Sequence, residues 1–354
     1  MTLFKGRISP SILEYKHFEG RLVKKGKTIP WTNHRSYNQR SLSPDEEAYL
    51  SNFDTRAFLV INDDQVLFEK YWDGFSDTTW SNSFSMAKSF VSLALGVALK
   101  KGQIKSLDEP IDKYLPLYNA PEKNGIPIKH FLTMSSGMNY SESYLNPFGY
   151  AAKANYGNDL KSLLEAYHQT EESGKRFKYQ SGDSQSLSFL ISEISGQSLS
   201  DYFSENVWSK LGPKRDALWS LDDKNGHEKA FCCFNSNAKD FAKIGKLMLN
   251  YGNWEGEQIV DSSYVQEATK AANLLEKDGA KNRRYGYQWW LGSFHGQNVF
   301  YARGINGQYI FCIPEKNMIV VRLGFKRSTE RIEGHPSDVF EYLKIALAIG
   351  EQSS

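Results

Sequence analysis

Two residues three positions apart, Ser85 and Lys88, could together form a nucleophile in this chain of 354 residues. A serine hydroxyl is a poor nucleophile until a nearby base removes its proton, and a neutral lysine amine can act as that base. At helical i, i+3 spacing the amine lies beside the hydroxyl. The N-terminus of a helix adds free backbone N–H groups and a positive dipole end, which suit a developing oxyanion. The pair therefore indicates nucleophilic attack by Ser85 on a carbonyl group.

The residues that follow predict the helix that would hold this pair. From Ser85 to Lys101 the pattern is helical and apolar on nearly every side, and it ends at Gly102, a glycine cap. A helix that is apolar all round is buried, and a lysine on it is costly without a purpose or a partner. The spacing alone is weak, because Ser236 and Lys239 share it and Ser85 could equally be an ordinary capping serine. Only Ser85 follows a predicted hairpin and opens a buried helix.

Strand patterns occur near both ends of the chain. Ala57–Ile61 and Val66–Trp72, joined by an Asn/Asp turn, predict a β-hairpin. Four β-rich runs separated by turns predict an antiparallel meander: Tyr285–Leu291, Val299–Ala302, Tyr309–Ile313 and Met318–Leu323. A last amphipathic helix is expected from about Pro336 to Ile349.

The middle of the chain shows helix-and-loop patterns instead. Within residues 106 to about 220, Ser184–Ser195 predicts a helix that ends at Gly196, and Ser198–Leu211 predicts another. Residues 1 to about 50 are polar and are expected to be irregular. Strands at both ends with helices between them predict a sheet built from both termini around a helical insertion.

Composition excludes several classes of protein. The formal charge is only +2, from 43 Lys and Arg against 41 acids, and no clustered cations offer a phosphate-binding surface for nucleic acid. Aromatic residues make up 14%, too many for a disordered chain. No run approaches the ~20 apolar residues needed to span a bilayer. Met1–Pro10 lacks the apolar core of a signal peptide, and the compartment is not indicated. The chain is expected to be an enzyme or a binding module.

Other catalytic and metal-binding motifs are missing from the sequence. It has no Gly-x-Ser-x-Gly elbow, no His-Glu-x-x-His, no phosphate-binding glycine loop and no dinucleotide fingerprint. His227-Glu228 lacks a second histidine at helical spacing, so a surface pair is favoured over zinc. Three cysteines are too few for a disulfide scaffold, and the adjacent Cys232 and Cys233 are expected to be small buried hydrophobes. No metal and no organic cofactor is expected.

From about residue 54 onward the sequence resembles the serine β-lactamase and penicillin-binding-protein-like hydrolases. Within that family it is most similar to the 6-aminohexanoate-dimer hydrolases and the β-lactamase-fold esterases. The pieces that match occur in the family's order over about four-fifths of the chain: Ser85–Phe90, Asp112–Pro116, His130–Gly137, Phe177–Gly182 and Gly304–Tyr309. The resemblance implies an α/β (α+β) β-lactamase-like fold, an antiparallel sheet with flanking helices and an inserted all-helical domain. The expected division is 1–105 with 221–354 for the α/β domain, residues 1–50 being a surface extension, and 106–220 for the helical domain.

The resemblance also assigns roles to residues outside the first motif. Tyr179, in Tyr179-Gln180-Ser181, is expected to relay a proton to the leaving group, and Ser181 to hydrogen-bond near Lys88 or the substrate. The backbone N–H groups of Ser85 and Ile305 are expected to form the oxyanion hole. Gly304 would let the substrate approach the backbone closely.

Two positions bear on the substrate. Ala302 stands where penicillin-recognising members carry a cation that binds a carboxylate, and Arg303, next on the strand, is expected to face the opposite side. The charge balance and Ala302 therefore offer no obvious anchor for an anionic substrate. By resemblance Tyr144 would hydrogen-bond the scissile amide nitrogen, although an exposed structural tyrosine fits the pattern equally well.

Together these features predict a serine hydrolase that acts through an acyl-enzyme on small-molecule carboxylic esters or linear amides, with Ser85, Lys88 and Tyr179 as its catalytic residues. One alternative is a β-lactamase or a penicillin-binding DD-peptidase. Another is a non-catalytic protein that binds peptides or cell-wall fragments. The oligomeric state is not indicated.

Overall fold

The computed structural model describes residues 10–142, 146 and 149–351. The β-strands of this part of the chain are β1 (Gly20–Val23), β2 (Thr32–Asn33), β3 (Thr55–Asn62), β4 (Gln65–Tyr71), β5 (Ser81–Asn82), β6 (Ala217–Ser220), β7 (Phe234–Ser236), β8 (Asn253–Trp254), β9 (Glu257–Gln258), β10 (Trp290–Phe294), β11 (Gln297–Gly304), β12 (Gln308–Ile313), β13 (Met318–Gly324), β14 (Arg331–Ile332) and β15 (His335–Pro336). Its α-helices are α1 (Pro44–Asn52), α2 (Ala87–Lys100), α3 (Ile128–Leu132), α4 (Tyr150–Tyr156), α5 (Leu160–Glu165), α6 (Ser181–Ser195), α7 (Leu199–Phe203), α8 (Ala238–Leu249), α9 (Ser262–Ala268) and α10 (Asp338–Glu351).

A seven-stranded sheet joins the two ends of the chain. Its strand order is β10-β11-β12-β13-β3-β4-β2, and its neighbours are antiparallel except for the short β2, which runs parallel to β4. The predicted hairpin is confirmed as β3 and β4, with Asp63 and Asp64 at positive φ in the turn. The C-terminal β13 pairs with β3, so the sheet is built from both termini. The predicted α/β fold with an antiparallel sheet is confirmed.

Both faces of the sheet are buried. Successive side chains along each strand point to opposite faces and so enter two different cores. Along β3, Ala57, Leu59 and Ile61 enter the core that contains α2 and α8. Phe58 and Val60 enter a second core, on the face covered by α10. Helix α2 is buried over Ala87–Ala98, as its continuous apolar pattern predicts.

The C-terminal part of the predicted helical segment, up to residue 220, differs from the prediction. Helix α6 is followed by Gly196 in the left-handed conformation, as predicted. Helix α7, however, continues as a π-helical turn over Ser204–Trp208. Ala217–Ser220, expected in the helical part, forms β6 of a four-stranded sheet of order β1-β6-β7-β5. We retain the division into an α/β domain and an inserted helical domain as a proposal.

Residues expected to be irregular near the N-terminus form regular structure. Strand β1 pairs with β6 from the middle of the chain, while Ile12, Val23 and Leu50 are fully buried. Such pairing partners lie about 200 residues away, so local patterning does not report them. Tyr285–Leu291 also differs from its predicted strand, since β10 begins only at Trp290 after a turn with Gln288 at positive φ.

Candidate active site

Ser85 lies on a tight turn at the start of the buried helix. Phe84–Met86 form one 3₁₀ turn that leads into α2, and Phe84 has a φ of +44°, an unusual conformation for a bulky residue. The turn is held by two hydrogen bonds, from the Phe84 N–H to Asn82 Oδ1 at 2.8 Å and from the Ser83 N–H to the Phe234 carbonyl at 2.8 Å. The strained turn leaves Ser85 partly exposed between buried neighbours.

Lys88 points its amine at Ser85 from one helical turn further on. Its Nζ lies 3.1 Å from Ser85 Oγ, 3.1 Å from Ser181 Oγ and 2.8 Å from the Phe231 carbonyl oxygen. The side chain is 1% exposed. An amine with three close oxygens in a buried site is held in one position, so Lys88 is placed to exchange a proton with Ser85.

Tyr179 borders the same amine through its aromatic ring. Lys88 Nζ lies 5.1 Å from the centre of that ring. Tyr179 also packs against Trp290 and Tyr285, with ring centroids 5.4 and 5.9 Å away. Three of the residues expected to act together, Ser85, Lys88 and Tyr179, therefore lie in one place, as does Ser181.

Glu142 belongs to this site, although the sequence reasoning gave it no role. Its carboxylate accepts hydrogen bonds from both the N–H and the hydroxyl of Ser181, each at 2.7 Å. Because Ser181 is the first residue of α6, Glu142 caps that helix and faces its positive dipole end. The chain of contacts from Glu142 through Ser181 to Lys88 fixes the hydroxyl that faces the amine.

Gln180 holds the segment that carries Tyr179 in place through hydrogen bonds of its side-chain amide. Gln180 Nε2 donates to Ser136 Oγ at 2.9 Å and to Asp183 Oδ1 at 3.1 Å, and Ser136 donates to the same Asp183 oxygen at 2.6 Å. Burial raises the pKa of Asp183 to about 8. This network ties the His130–Gly137 motif to the Phe177–Gly182 motif, which explains why both belong to one site.

Ile305, the expected second oxyanion donor, directly follows Gly304. Gly304 packs against the turn that carries Ser85. A Cβ added to Gly304 would lie deep inside the van der Waals radius of the Ser83 carbonyl oxygen and 3.1 Å from Phe84 Cβ. This close approach brings the end of β11 against the turn that carries Ser85. The backbone amides of Ser85 and Ile305 thus lie on adjoining segments.

The turn that follows Ile305 is fixed by Arg322, which sequence reasoning missed. Arg322 is fully buried on β13, and its Nη1 donates to the carbonyls of Asn306 at 3.0 Å and Gly307 at 2.8 Å. Asn306 has a φ of +58°, and its side-chain amide donates to the Pro10 carbonyl at 3.0 Å. A buried charge needs such partners, and here they hold the backbone of the turn that follows Ile305, the expected oxyanion donor.

Gly304 gives a direct test of this geometry. We expect Gly304→Ala to lower kcat/KM for a 4-nitrophenyl ester by at least about 100-fold, because the new methyl group pushes the Ile305 amide away from Ser85. Gly296→Ala is the control: this glycine lies in the turn at the other end of β11, its Cβ would meet open space, and its φ of +75° makes the substitution strained. It should therefore lower stability but leave kcat/KM of the folded protein unchanged. If both variants fold and retain equal activity, the close approach at Gly304 does not matter for catalysis.

Other expected residues lie outside this arrangement. Ala302 is buried in the core with α2, and Arg303 is on the opposite face with Tyr301, as strand alternation predicts. Tyr144 lies outside the described residues. Ser236 and Lys239 form no second pair, since Ser236 ends β7 while Lys239 forms an ion pair with Glu69 at 2.8 Å.

The cysteine prediction needs a correction. Cys232 and Cys233 are buried, as expected, but they are joined in a disulfide directly after Phe231, whose carbonyl meets Lys88. Adjacency in the chain brings their sulfur atoms together, whereas the sequence reasoning weighed the cysteines only for a disulfide scaffold, for metal binding and as buried hydrophobes. Among the described residues, no group of three His, Cys, Asp or Glu side chains could hold a metal ion. None of the described helices has the length and the apolar composition of a membrane span.

Comparisons with known proteins support the fold. A curated 6-aminohexanoate-dimer hydrolase from Paenarthrobacter ureafaciens is 25% identical over 297 residues, which cover 79% of this chain and 75% of that protein. A Bacillus anthracis structure, provisionally designated a 6-aminohexanoate-dimer hydrolase, superposes with a TM-score of 0.81 at 22% identity, over 97% of this chain and 93% of the other. A family VIII carboxylesterase superposes with a TM-score of 0.67 at 18% identity, over 87% and 99% of the two chains.

A match to a family model spans most of the sequence. The family model described as "Beta-lactamase" matches residues 48–334, a range that contains Ser85, Lys88, Tyr179 and Ile305. The chain therefore belongs to the β-lactamase family.

Proposed function

We propose that this protein is a serine hydrolase that cleaves carboxylic esters or linear amides through an acyl-enzyme. The observation that carries the proposal is the buried Lys88 amine, 3.1 Å from Ser85 Oγ. A buried lysine that meets a serine hydroxyl on a strained turn has the geometry of a base beside its nucleophile. Membership of the β-lactamase family supports the same reading.

In the first half of the reaction Ser85 Oγ attacks the substrate carbonyl carbon while Lys88 Nζ takes its proton. The carbonyl oxygen becomes an oxyanion, which the Ser85 and Ile305 amides stabilise. When this intermediate collapses, the bond from carbon to the leaving oxygen or nitrogen breaks. Lys88, with Tyr179 beside it, returns the proton to the leaving group, and the acyl group stays on Ser85 as an ester.

In the second half a water molecule attacks the acyl ester. The same amine takes a proton from the water, and the oxyanion forms again in the same place. Collapse releases the carboxylic acid, and the proton returns to Ser85 Oγ. The amine is a base in one half-reaction and an acid in the other, so no metal or organic cofactor enters either step.

The residue at position 302, an alanine, favours esters and linear amides over β-lactams as substrates. The buried methyl group of Ala302 cannot supply the cation that penicillin-recognising members use there. The curated relative is named for 6-aminohexanoate dimer, which is a linear amide. A penicillin substrate would therefore lack one of its anchors.

Covalent labelling tests the proposal. A fluorophosphonate probe is expected to add its mass to the tryptic peptide of residues 71–88, which contains Ser85, and Ser85→Ala is expected to abolish the addition. Protein that stays unlabelled, or that is labelled equally after the substitution, would contradict the proposal and favour a non-catalytic binding protein. A fluorescent penicillin that labels the same peptide as rapidly would favour the penicillin-binding alternative.

A further inference from the structure

The disulfide between Cys232 and Cys233 adjoins the peptide group that holds the amine of Lys88. This peptide group joins Phe231 to Cys232, and its carbonyl oxygen accepts a hydrogen bond from Lys88 Nζ at 2.8 Å. The other two oxygens near the amine belong to side-chain hydroxyls. The proposed reaction gives the disulfide no role, yet the position of the Lys88 amine depends on the segment that contains it.

The disulfide closes a small ring that includes the backbone of both cysteines. Because the two residues are adjacent, the ring contains the peptide bond between them and restricts the rotations on either side of it. Cys233 has a φ of +71°, in the left-handed region that residues with a side chain rarely adopt. Once the ring is open, no covalent restraint keeps this φ, and the backbone is free to relax to a negative value.

Three hydrogen bonds connect the ring to its surroundings. The Cys232 carbonyl accepts one from Trp219 Nε1 at 3.0 Å. The Cys233 carbonyl accepts two, from the Ser220 N–H at 3.0 Å and from Asn235 Nδ2 at 2.8 Å. A change of φ at Cys233 turns the chain before it relative to the chain after it, so these bonds and the bond to the lysine amine cannot all be kept.

The end of helix α4 covers the disulfide. Cys232 and Cys233 are 5% and 3% exposed, so a reductant reaches them only when a neighbouring segment opens. Asn155 lies in the last turn of α4, with its Oδ1 atom 3.7 Å from Cys232 Sγ. Its carbonyl accepts a hydrogen bond from Lys229 Nζ at 2.6 Å. A helix of two turns has little stability of its own, so local opening of this end gives access to the sulfur atoms.

We propose that Cys232 and Cys233 form a redox modification site: the disulfide holds Lys88 in its catalytic position, and reduction by a dithiol releases it. The inference rests on the proposed function and adds a regulation of the same site. One thiolate of the dithiol attacks a cysteine sulfur to form a mixed disulfide, and its second thiol displaces the protein thiol. The protein gains two electrons and two protons and holds two thiols, while the dithiol leaves as a disulfide. Exchange with a small disulfide reverses the step.

The third cysteine does not compete in this exchange. Cys312 is buried on β12, and its Sγ lies 3.7 Å from the Gly245 carbonyl oxygen. Burial raises the pKa of its thiol well above the usual value, so little of the reactive thiolate forms. Since the chain has three cysteines, a dithiol acts on one disulfide within it.

Labelling rates in the two redox states test the inference. The folded protein is treated with dithiothreitol or with glutathione disulfide, and its state is read from a mass difference of about 2 Da, two hydrogen atoms. The reduced form is expected to react with the fluorophosphonate probe at Ser85 about tenfold more slowly, because a displaced amine takes the serine proton poorly. Reoxidation should restore the rate, and the circular dichroism spectrum should stay the same throughout. The double variant Cys232→Ser, Cys233→Ser should react slowly under both treatments, whereas Cys312→Ser should respond like the wild type.

The outcomes separate this inference from the proposed function. If neither redox state is labelled, the proposed hydrolase function fails. If both states are labelled at one rate, or if the folded protein neither gains nor loses the two hydrogen atoms, the hydrolase stands and the redox site is wrong. A response that persists in the double variant, or that is lost in folded Cys312→Ser, would overturn the assignment to Cys232 and Cys233. A reduced form that loses its circular dichroism spectrum would show that the disulfide supports folding only, and would likewise overturn the proposal.

Discussion

Replacing Ser85 by alanine is expected to reduce kcat for 4-nitrophenyl acetate by at least about 10⁴-fold, to near the uncatalysed rate. Removing a nucleophile from an acyl-transfer site leaves only binding and oxyanion stabilisation, and the covalent route is lost entirely. The fold should remain, because the Ser83 and Phe84 backbone bonds that hold the turn do not involve the Ser85 hydroxyl. Initial rates on purified protein, with circular dichroism to confirm folding, measure the effect.

The chain offers its own control for this substitution. Ser236 has a lysine at the same spacing, Lys239, but it ends β7 and is fully buried. Ser236→Ala should retain activity within about twofold once corrected for folded protein, since surroundings rather than spacing make the nucleophile. A Ser85→Ala enzyme that keeps a tenth or more of the wild-type rate would exclude Ser85 as the nucleophile.

Replacing Lys88 by methionine is the second large effect that we expect, a loss of about 10³-fold or more in the rate of acylation. The methionine fills nearly the same volume but cannot take the Ser85 proton, so the hydroxyl attacks unassisted. Labelling by the fluorophosphonate probe should slow in parallel, because it depends on the same activated hydroxyl. Single-turnover kinetics with 4-nitrophenyl acetate separate this acylation step from the later hydrolysis.

A second buried lysine supplies the matched control. Lys243 donates to the Ile29 carbonyl at 2.7 Å and lies between the rings of Trp31 and Trp254, on α8. Lys243→Met also removes a buried amine and its hydrogen bond, so it should lower thermal stability while the folded fraction stays active. Equal losses of acylation rate in the two variants would mean that Lys88 matters only for folding.

Much of the fold follows from short-range patterning. Helix α2 was predicted because its apolar residues cover every side, and the β3–β4 hairpin because alternating side chains flank an Asn/Asp turn. Ser85 and Lys88 could be paired from sequence, since three residues of helix fix their separation. Tyr179, Ser181, Gly304 and Ile305 were reached only through resemblance to a family, because nothing local links them to Ser85.

Contacts between distant segments could not be predicted from the sequence. Glu142 lies 39 residues from Ser181, and Arg322 reaches back to Thr55 as well as to the turn after Ile305. Strand β1 pairs across about 200 residues with β6. Each of these residue types is common, and its partner is set by how the chain folds back, which no periodicity encodes.

The two arginines beside Trp290 show the same division between what the sequence determines and what the tertiary structure determines. The sequence by itself determined the net charge of +2 and the alanine at position 302, and from these it predicted no anchor for an anion. The net charge is a total over the whole chain, so it does not say where the individual charges lie. Only the tertiary structure shows Arg284 and Arg303 beside the same Trp290 ring, with their guanidinium carbons 5.9 and 3.3 Å from its centre, because segments that are apart in the sequence meet there. The sequence thus determined the helix that aligns serine and lysine, and the packing of distant segments decided what surrounds them.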